Sequence, residues 1–295
     1  MTIILKNKRL RIDIDEPGEN YKFARFDHTG NIVQVVLDDK HSFCANEIIN
    51  GFNKDKNGQG FYNEFGISDP VGYDDCPVGG QFPKIGVGLL LKPDEKPYYF
   101  LTAYEILPFK VNIIKDDEWV EFTSNPNNSR GYEVRYKKLI KLAENSFTIH
   151  YELQNTGSKP FNTSEYCHNF VAINNSHVDE NYTLKFPFKL DKSVTEEYVN
   201  DENAVFFKDK RMKFEATPEQ PFFFSHLEYD KELKGMWEIT NDKYGVGVKE
   251  TTDFVPCKIN VWGWKHVISP ELFYKVTLNP GQQISWQRKY EFYYL

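Results

Sequence analysis

A chain of 295 residues with a formal net charge of −7 and a pI near 5.6 carries no basic stripe, which argues against nucleic acid as a partner. Aromatic residues reach 16%, with 24 Phe, 18 Tyr and 5 Trp, an excess that suits pleated strands and the flat faces of sugars. Cys44, Cys76, Cys167 and Cys257 are widely spaced without a Cys-x-x-Cys pair, so no disulfide framework is expected. His41 and Cys44 alone have a metal-like spacing; no second pair follows, and neither a metal nor a cofactor is expected.

The apolar run Ile3, Ile4, Leu5 is broken by Lys6 and Lys8, too short for a signal-peptide core or a membrane span, so a cytoplasmic location away from membranes is expected. Residues 23–37 read as a hairpin, with Phe23 to Phe26 as one arm, a turn through Asp27 and Gly30, and Ile32 to Leu37 as the other. Residues 50–88 are irregular, with nine glycines and three prolines, and loops of that length inside a compact domain are usually functional. Residues 132–153 form a second hairpin, whose return arm alternates Phe147, Ile149, Tyr151 and Leu153 with polar residues. Residues 193–200 and 228–233 could hold short helices. Residues 235–251 form a third hairpin that turns near Asp242. In the fourth, Tyr274, Val276 and Leu278 alternate up to the turn Asn279, Pro280, Gly281, Gln282, where Pro presets φ and Gly supplies the positive φ. Many short strands and no long helical period predict an all-β fold of large packed antiparallel sheets, with few short helices and one domain over residues 1–295.

Three clusters could carry chemistry. In the first, Glu165 and Cys167 share one strand face while Tyr166, His168 and Phe170 share the other, with Asn169 between. His168 could protonate a substrate oxygen at a cleft, or be a core histidine satisfied by a backbone carbonyl. In the second, Trp262 and Trp264 could form a sugar platform and Glu271, set after Pro270 at a strand entrance, could act as a base; an edge-strand Glu with two structural tryptophans explains the same residues. The third runs from Phe61, Tyr62, Asn63, Glu64 and Phe65 to Phe82, Pro83, Lys84, Ile85 and Gly86. It completes no Gly-x-Gly-x-x-Gly and no Gly-Lys-Ser/Thr, so a nucleotide loop is rejected. Lys84 could be a pocket cation or a solvated loop lysine. Glu64 is expected to be at least partly buried, accepting backbone N–H bonds or pairing with Lys84, because an unpaired buried carboxylate is costly.

In this order the three clusters resemble the galactose mutarotase-like (aldose 1-epimerase) superfamily. Asn63, Glu64 and Phe65 with the run from Phe82 to Gly86 look like its first cleft segment. The run from Ile149 to Gly157 leading into Tyr166, Cys167, His168, Asn169 and Phe170 is similar to its central strand. Pro270 and Glu271, then Leu278, Asn279, Pro280 and Gly281, look like its closing strand and turn. The resemblance covers roughly residues 20–295 and implies a β-supersandwich with a sugar cleft across one sheet. It also implies a small-molecule sugar as partner, with Glu271 the base that deprotonates the C1 hydroxyl and His168 the acid that protonates the ring oxygen. Lys84, Glu64, Asn169, Trp262, Trp264 and Glu165 would bind substrate. Where that family places an Arg and a further His in the first segment, Lys84 stands here, and no His lies between His41 and His150. No Arg cluster for a sugar phosphate stands out, although Arg130 could serve. The leading expectation is an isomerase interconverting α and β anomers of a free sugar. The alternative is a non-catalytic carbohydrate-binding protein on the same scaffold; a lyase-type domain would need an added helical domain.

Overall fold

The computed structural model describes residues 2–227, 229 and 232–295. In chain order its strands are β1 (Thr2–Lys6), β2 (Leu10–Asp15), β3 (Asn31–Leu37), β4 (His41–Ser42), β5 (Phe61–Phe65), β6 (Gln81–Lys84), β7 (Gly88–Leu91) and β8 (Ile106–Pro108). They continue as β9 (Lys110–Lys115), β10 (Trp119–Asn125), β11 (Val134–Ala143), β12 (Ser146–Asn155), β13 (Phe161–Asn169), β14 (Tyr182–Lys185), β15 (Glu197–Val199) and β16 (Val205–Lys208). The last are β17 (Arg211–Phe214), β18 (Phe222–Ser225), β19 (Met236–Asn241), β20 (Val246–Thr252), β21 (Lys258–Trp264), β22 (Val267–Leu278) and β23 (Gln283–Tyr294).

Two ten-stranded antiparallel sheets carry the fold. The first runs β1-β2-β3-β5-β13-β22-β21-β18-β15, with β4 beside β3; the second runs β16-β17-β14-β19-β20-β23-β12-β11-β10-β9; β6, β7 and β8 form a small third sheet. Between the large sheets lies one apolar core, in which Phe61, Cys167 and Val276 of the first meet Phe147, Tyr290 and Phe292 of the second. β11 alternates buried and exposed residues along most of its length, as a strand with one wet face must. All five residues of β5 are buried, because the outer face of the first sheet is itself covered by other parts of the chain. Among the described residues, no helix is long and apolar enough to cross a membrane.

The hairpins expected at 132–153, 235–251 and 274–292 are present as β11–β12, β19–β20 and β22–β23. Four expectations are corrected. Phe23 to Phe26 is not a strand: β2 takes the edge of β3, and residues 23–28 run outside the ladder, with Arg25 against Glu64 on the outer face, Asp27 N–H donating to Asn63 O at 2.8 Å and His28 N–H to Gly86 O at 3.0 Å. Residues 50–88 contain β5 and β6, which lack period-two alternation because both faces are covered. Residues 193–200 hold a 3₁₀ turn, Lys192–Val194, capped by Asp191, and then strand β15. Glu228, Asp230 and Lys231 of the other expected helix lie outside the described residues. Finally, Pro270 does not open a strand. It sits inside twelve-residue β22 across from Val261, at the cost of one ladder donor, and the Asn169 side-chain amide donates to its carbonyl at 2.6 Å.

Gly60 shows how tightly the site strands are set. Its φ is +64°, its N–H donates to Ala45 O at 3.0 Å and its carbonyl accepts from Phe170 N–H at 2.7 Å. A Cβ there would overlap the Ile32 carbonyl oxygen. Left-handed backbone costs a non-glycine residue about 1–2 kcal/mol and overpacking about 1–3 more. Gly60→Ala should therefore lose about 2–5 kcal/mol in urea unfolding, and an unchanged midpoint would contradict this packing.

Candidate active site

Four neighbouring strands present side chains to the outer face of the first sheet. Tyr62 and Glu64 come from β5, Tyr166 and His168 from β13, Ser269, Glu271 and Phe273 from β22, and Asn260, Trp262 and Trp264 from β21. Alternation sorts them: Tyr166 pairs with Glu64 and His168 with Tyr62, so all four point the same way. Glu165 pairs with Tyr274 and Val171 bridges Ile268 in the same register, which sets His168 across from Glu271. On the other side of β22, Glu271 pairs with Asn260 and Ser269 with Trp262.

His168 is the centre of the site. Its Nε2 lies 3.2 Å from Glu271 Oε1 and its Nδ1 lies 2.6 Å from Ser269 Oγ. Phe170 stacks on the imidazole at a centroid distance of 4.0 Å, and Trp262 meets it edge-on at 5.5 Å. His168 and Glu271 are only 4% and 5% exposed. Burial pushes the Glu271 carboxyl up to about 8, against the opposing pull of Arg25, Lys258 and the Asn260 amide. Burial, with Arg25 adding to it, holds the His168 imidazole well below its ordinary value. Both shifts favour the neutral forms, a carboxylic acid and an imidazole sharing one proton.

Beside this pair, Glu64 is fully buried and satisfied. It accepts from Tyr166 OH at 2.7 Å and Arg25 Nε at 3.1 Å, and Lys84 Nζ lies 3.5 Å from it. Lys84 also donates to Gly66 O at 3.1 Å; burial, opposed by Glu64, lowers its ammonium to about 8. This agrees with the pairing expected of Glu64 and Lys84. Arg25 also holds Glu47 at 2.8 Å, with its guanidinium 4.4 Å from the Phe26 ring centroid and 4.7 Å from that of Phe100. Sequence reasoning missed Arg25. Its one signal was a lone charge within the apolar run Phe23, Ala24, Phe26. Ser269 and Asn260 were also missed as neighbours of the pair, whereas Tyr166 lies on the face of His168 as the alternation predicts. Arg130 lies elsewhere, against the Asp75 carbonyl.

Two of the expected substrate-binding residues are elsewhere. Glu165 and Asn169 are on the opposite face of β13 from His168, because a strand turns successive side chains to opposite sides. Both are buried between the sheets. Glu165 accepts from Arg288 Nη2 at 2.7 Å and Asn63 Nδ2 at 2.7 Å, and Asn169 Oδ1 accepts from Tyr290 OH at 2.9 Å. Arg288 Nη1 donates to Glu250 Oε1 at 2.7 Å, so one guanidinium joins two buried carboxylates. This network grips β13 and β22 from behind the residues that carry His168 and Glu271. Trp264 stays on the outer face, two residues along β21 from Trp262, with its indole N–H donating to Glu219 O at 2.8 Å. His41 bonds Asn174, and among the described residues no group of three His, Cys, Asp or Glu could hold a metal ion.

Solved structures of galactose mutarotase-like proteins share this two-sheet antiparallel sandwich. An aldose epimerase homologue from C. elegans matches with TM-score 0.62 at 12% identity, covering 100% of this chain and 99% of that one. A galactose mutarotase related enzyme from Lactobacillus acidophilus matches with TM-score 0.60 at 10% identity, covering 99% and 97%. A galactose mutarotase-like protein from Clostridium acetobutylicum matches with TM-score 0.60 at 13% identity, covering 100% and 95%. No protein-family model and no curated protein matches the chain by sequence. The structural likenesses establish the fold: the chain has the galactose mutarotase-like β-sandwich.

Proposed function

We propose that the protein is an aldose 1-epimerase-type isomerase that interconverts the anomers of a free sugar, with residues 1–295 acting as one carbohydrate-binding unit. The observation that carries this reading is the buried contact between His168 and Glu271, 3.2 Å apart on the outer face of a mutarotase-like sheet. With the shared proton on the imidazole, Glu271 is a carboxylate that can take the C1 hydroxyl proton and His168 an imidazolium that can protonate the ring oxygen. The substrate displaces the direct contact, so each group meets one sugar oxygen. The ring opens, the aldehyde rotates about C1–C2, and reclosure runs the two transfers backwards. Ser269 holds the other imidazole nitrogen and fixes the ring's orientation. Arg25 and Lys84 are occupied by Glu47 and Glu64, which favours a neutral sugar over a phosphorylated one. The test is an NMR anomer-exchange screen over free aldoses: acceleration of at least one supports the enzyme. No acceleration supports the second reading, a non-catalytic carbohydrate-binding protein, which the low exposure of the pair favours.

The pH dependence follows from the proton count. The pair needs one proton, and it loses that proton as pH rises through about 8, where Glu271 ionises with His168 neutral. It gains a second only well below the ordinary imidazole range, where the base is lost. Exchange should be flat through neutral pH and fall about tenfold per pH unit above about 8. Lys84 titrates in the same region, and Lys84→Met should leave the alkaline limb in place. A rate that keeps rising to pH 10 would contradict the assignment.

A further inference from the structure

We infer that a depression beside this outer face is a subsite for a further sugar residue, so that the ligand is a neutral di- or oligosaccharide whose reducing end reaches His168 and Glu271; the link to that pair rests on the function proposed above. The depression has a volume of about 430 Å³, within the range of small-molecule sites, and its wall includes Asn46, Gln59, Asn175, His177 and His266. No Asp, Glu, Lys or Arg lines it. A phosphate or carboxylate ligand would call for a lysine or arginine, and a cation for carboxylates. What the wall offers is amides: among the described residues, the side chains of Asn46, Gln59 and Asn175 make no hydrogen bond to the protein. Spare amide donors and acceptors match the alternating donors and acceptors of sugar hydroxyls.

The depression adjoins the apolar cluster that packs beside the acid–base pair. Its Ala45 and Ala172 belong to the apolar cluster that includes Tyr62, Phe170 and Val267, with Trp262 and Trp264 packed against it. Trp262 lies 5.5 Å from His168 and Trp264 5.6 Å from His266, ring centre to ring centre. The two tryptophans are two residues apart on β21, hence on one side and about 7 Å apart along the strand. Two half-buried tryptophans therefore lie between the pair and the amide-lined wall, and their rings are the kind of surface on which sugar rings stack. Asn175 of the wall and Asn174 before it are consecutive left-handed residues, with φ of +53° and +55°.

The test compares lactose, maltose and cellobiose with galactose and glucose, using NMR titration for affinity and exchange spectroscopy for turnover. At least one disaccharide should bind about tenfold tighter than its reducing-end monosaccharide, a difference of about 1.4 kcal/mol. Asn46→Ala combined with Gln59→Ala should erase that advantage and leave monosaccharide affinity and exchange within about twofold. If the double variant melts early, Gln59→Ala alone, at a partly exposed side chain, should lose most of the advantage. Equal binding of mono- and disaccharides by the wild type, or equal losses for both in the variants, overturns the subsite. Disaccharide binding that depends on Asn46 and Gln59 without any anomer exchange keeps the subsite and removes the enzyme.

Discussion

Glu271→Gln should slow anomer exchange by about 10²-fold or more while sugar affinity stays within about tenfold. The substitution keeps the shape and the hydrogen-bonding reach of the side chain but removes the proton acceptor. It also removes the proton shared with His168, whose Nε2 lies 3.2 Å away. His168→Asn should behave alike, because an amide can hydrogen-bond a ring oxygen and cannot protonate it. The double variant should lose less than the product of the two single losses, since both groups serve one ring-opening event. Ser269→Ala should cost less than either, because Ser269 touches only the far nitrogen of the imidazole. Exchange spectroscopy on the best sugar from the screen reads all four. Unchanged exchange in Glu271→Gln would defeat the mechanism even with the fold as described.

Arg288→Met should be the most destabilising single change, by about 3–5 kcal/mol at neutral pH. Arg288, Glu165 and Glu250 are all fully buried between the two large sheets. The guanidinium reaches both carboxylates at 2.7 Å and donates to Leu272 O at 2.8 Å. Burial already pushes the Glu250 carboxyl above its ordinary value, with Arg288 the main force against it. Without the cation the Glu250 carboxyl rises further. The folded variant then holds protons that its unfolded chain has released, so its deficit grows as pH rises above the ordinary carboxylate range and shrinks as pH falls toward it. Adding Glu165→Gln and Glu250→Gln should restore part of the loss, because neutral amides need no counterion. Urea unfolding at pH 5 and pH 8 tests both claims; a wild-type midpoint at pH 8 would mean the network contributes nothing. Since Glu165 and Asn169 flank Tyr166, Cys167 and His168 on β13, a folded Arg288→Met variant should also exchange anomers more slowly.

What the sequence determined was local. Alternation in β11, β12, β23 and the last five residues of β22 reported strands with one wet face, and Asn279, Pro280 and Gly281 specified a turn whose Gly281 indeed has φ +80°. The same alternation separated Glu165 and Cys167 from Tyr166 and His168. It could not say which face met the second sheet, because β13 is buried on both sides, and so Glu165 and Asn169 read as cleft residues. β5 was hidden in a glycine-rich stretch for the same reason, with no wet face to set a period. Only the tertiary structure decided that residues 23–28 leave the sheet and lay Arg25 over Glu64. That placement depends on backbone bonds to Asn63 and Gly86, far away in the chain, and no local propensity encodes it. Burial by these covering segments also sets the proton count of His168 and Glu271: the two residue types were legible, but their shifted titration comes from desolvation by neighbours that only folding brings together.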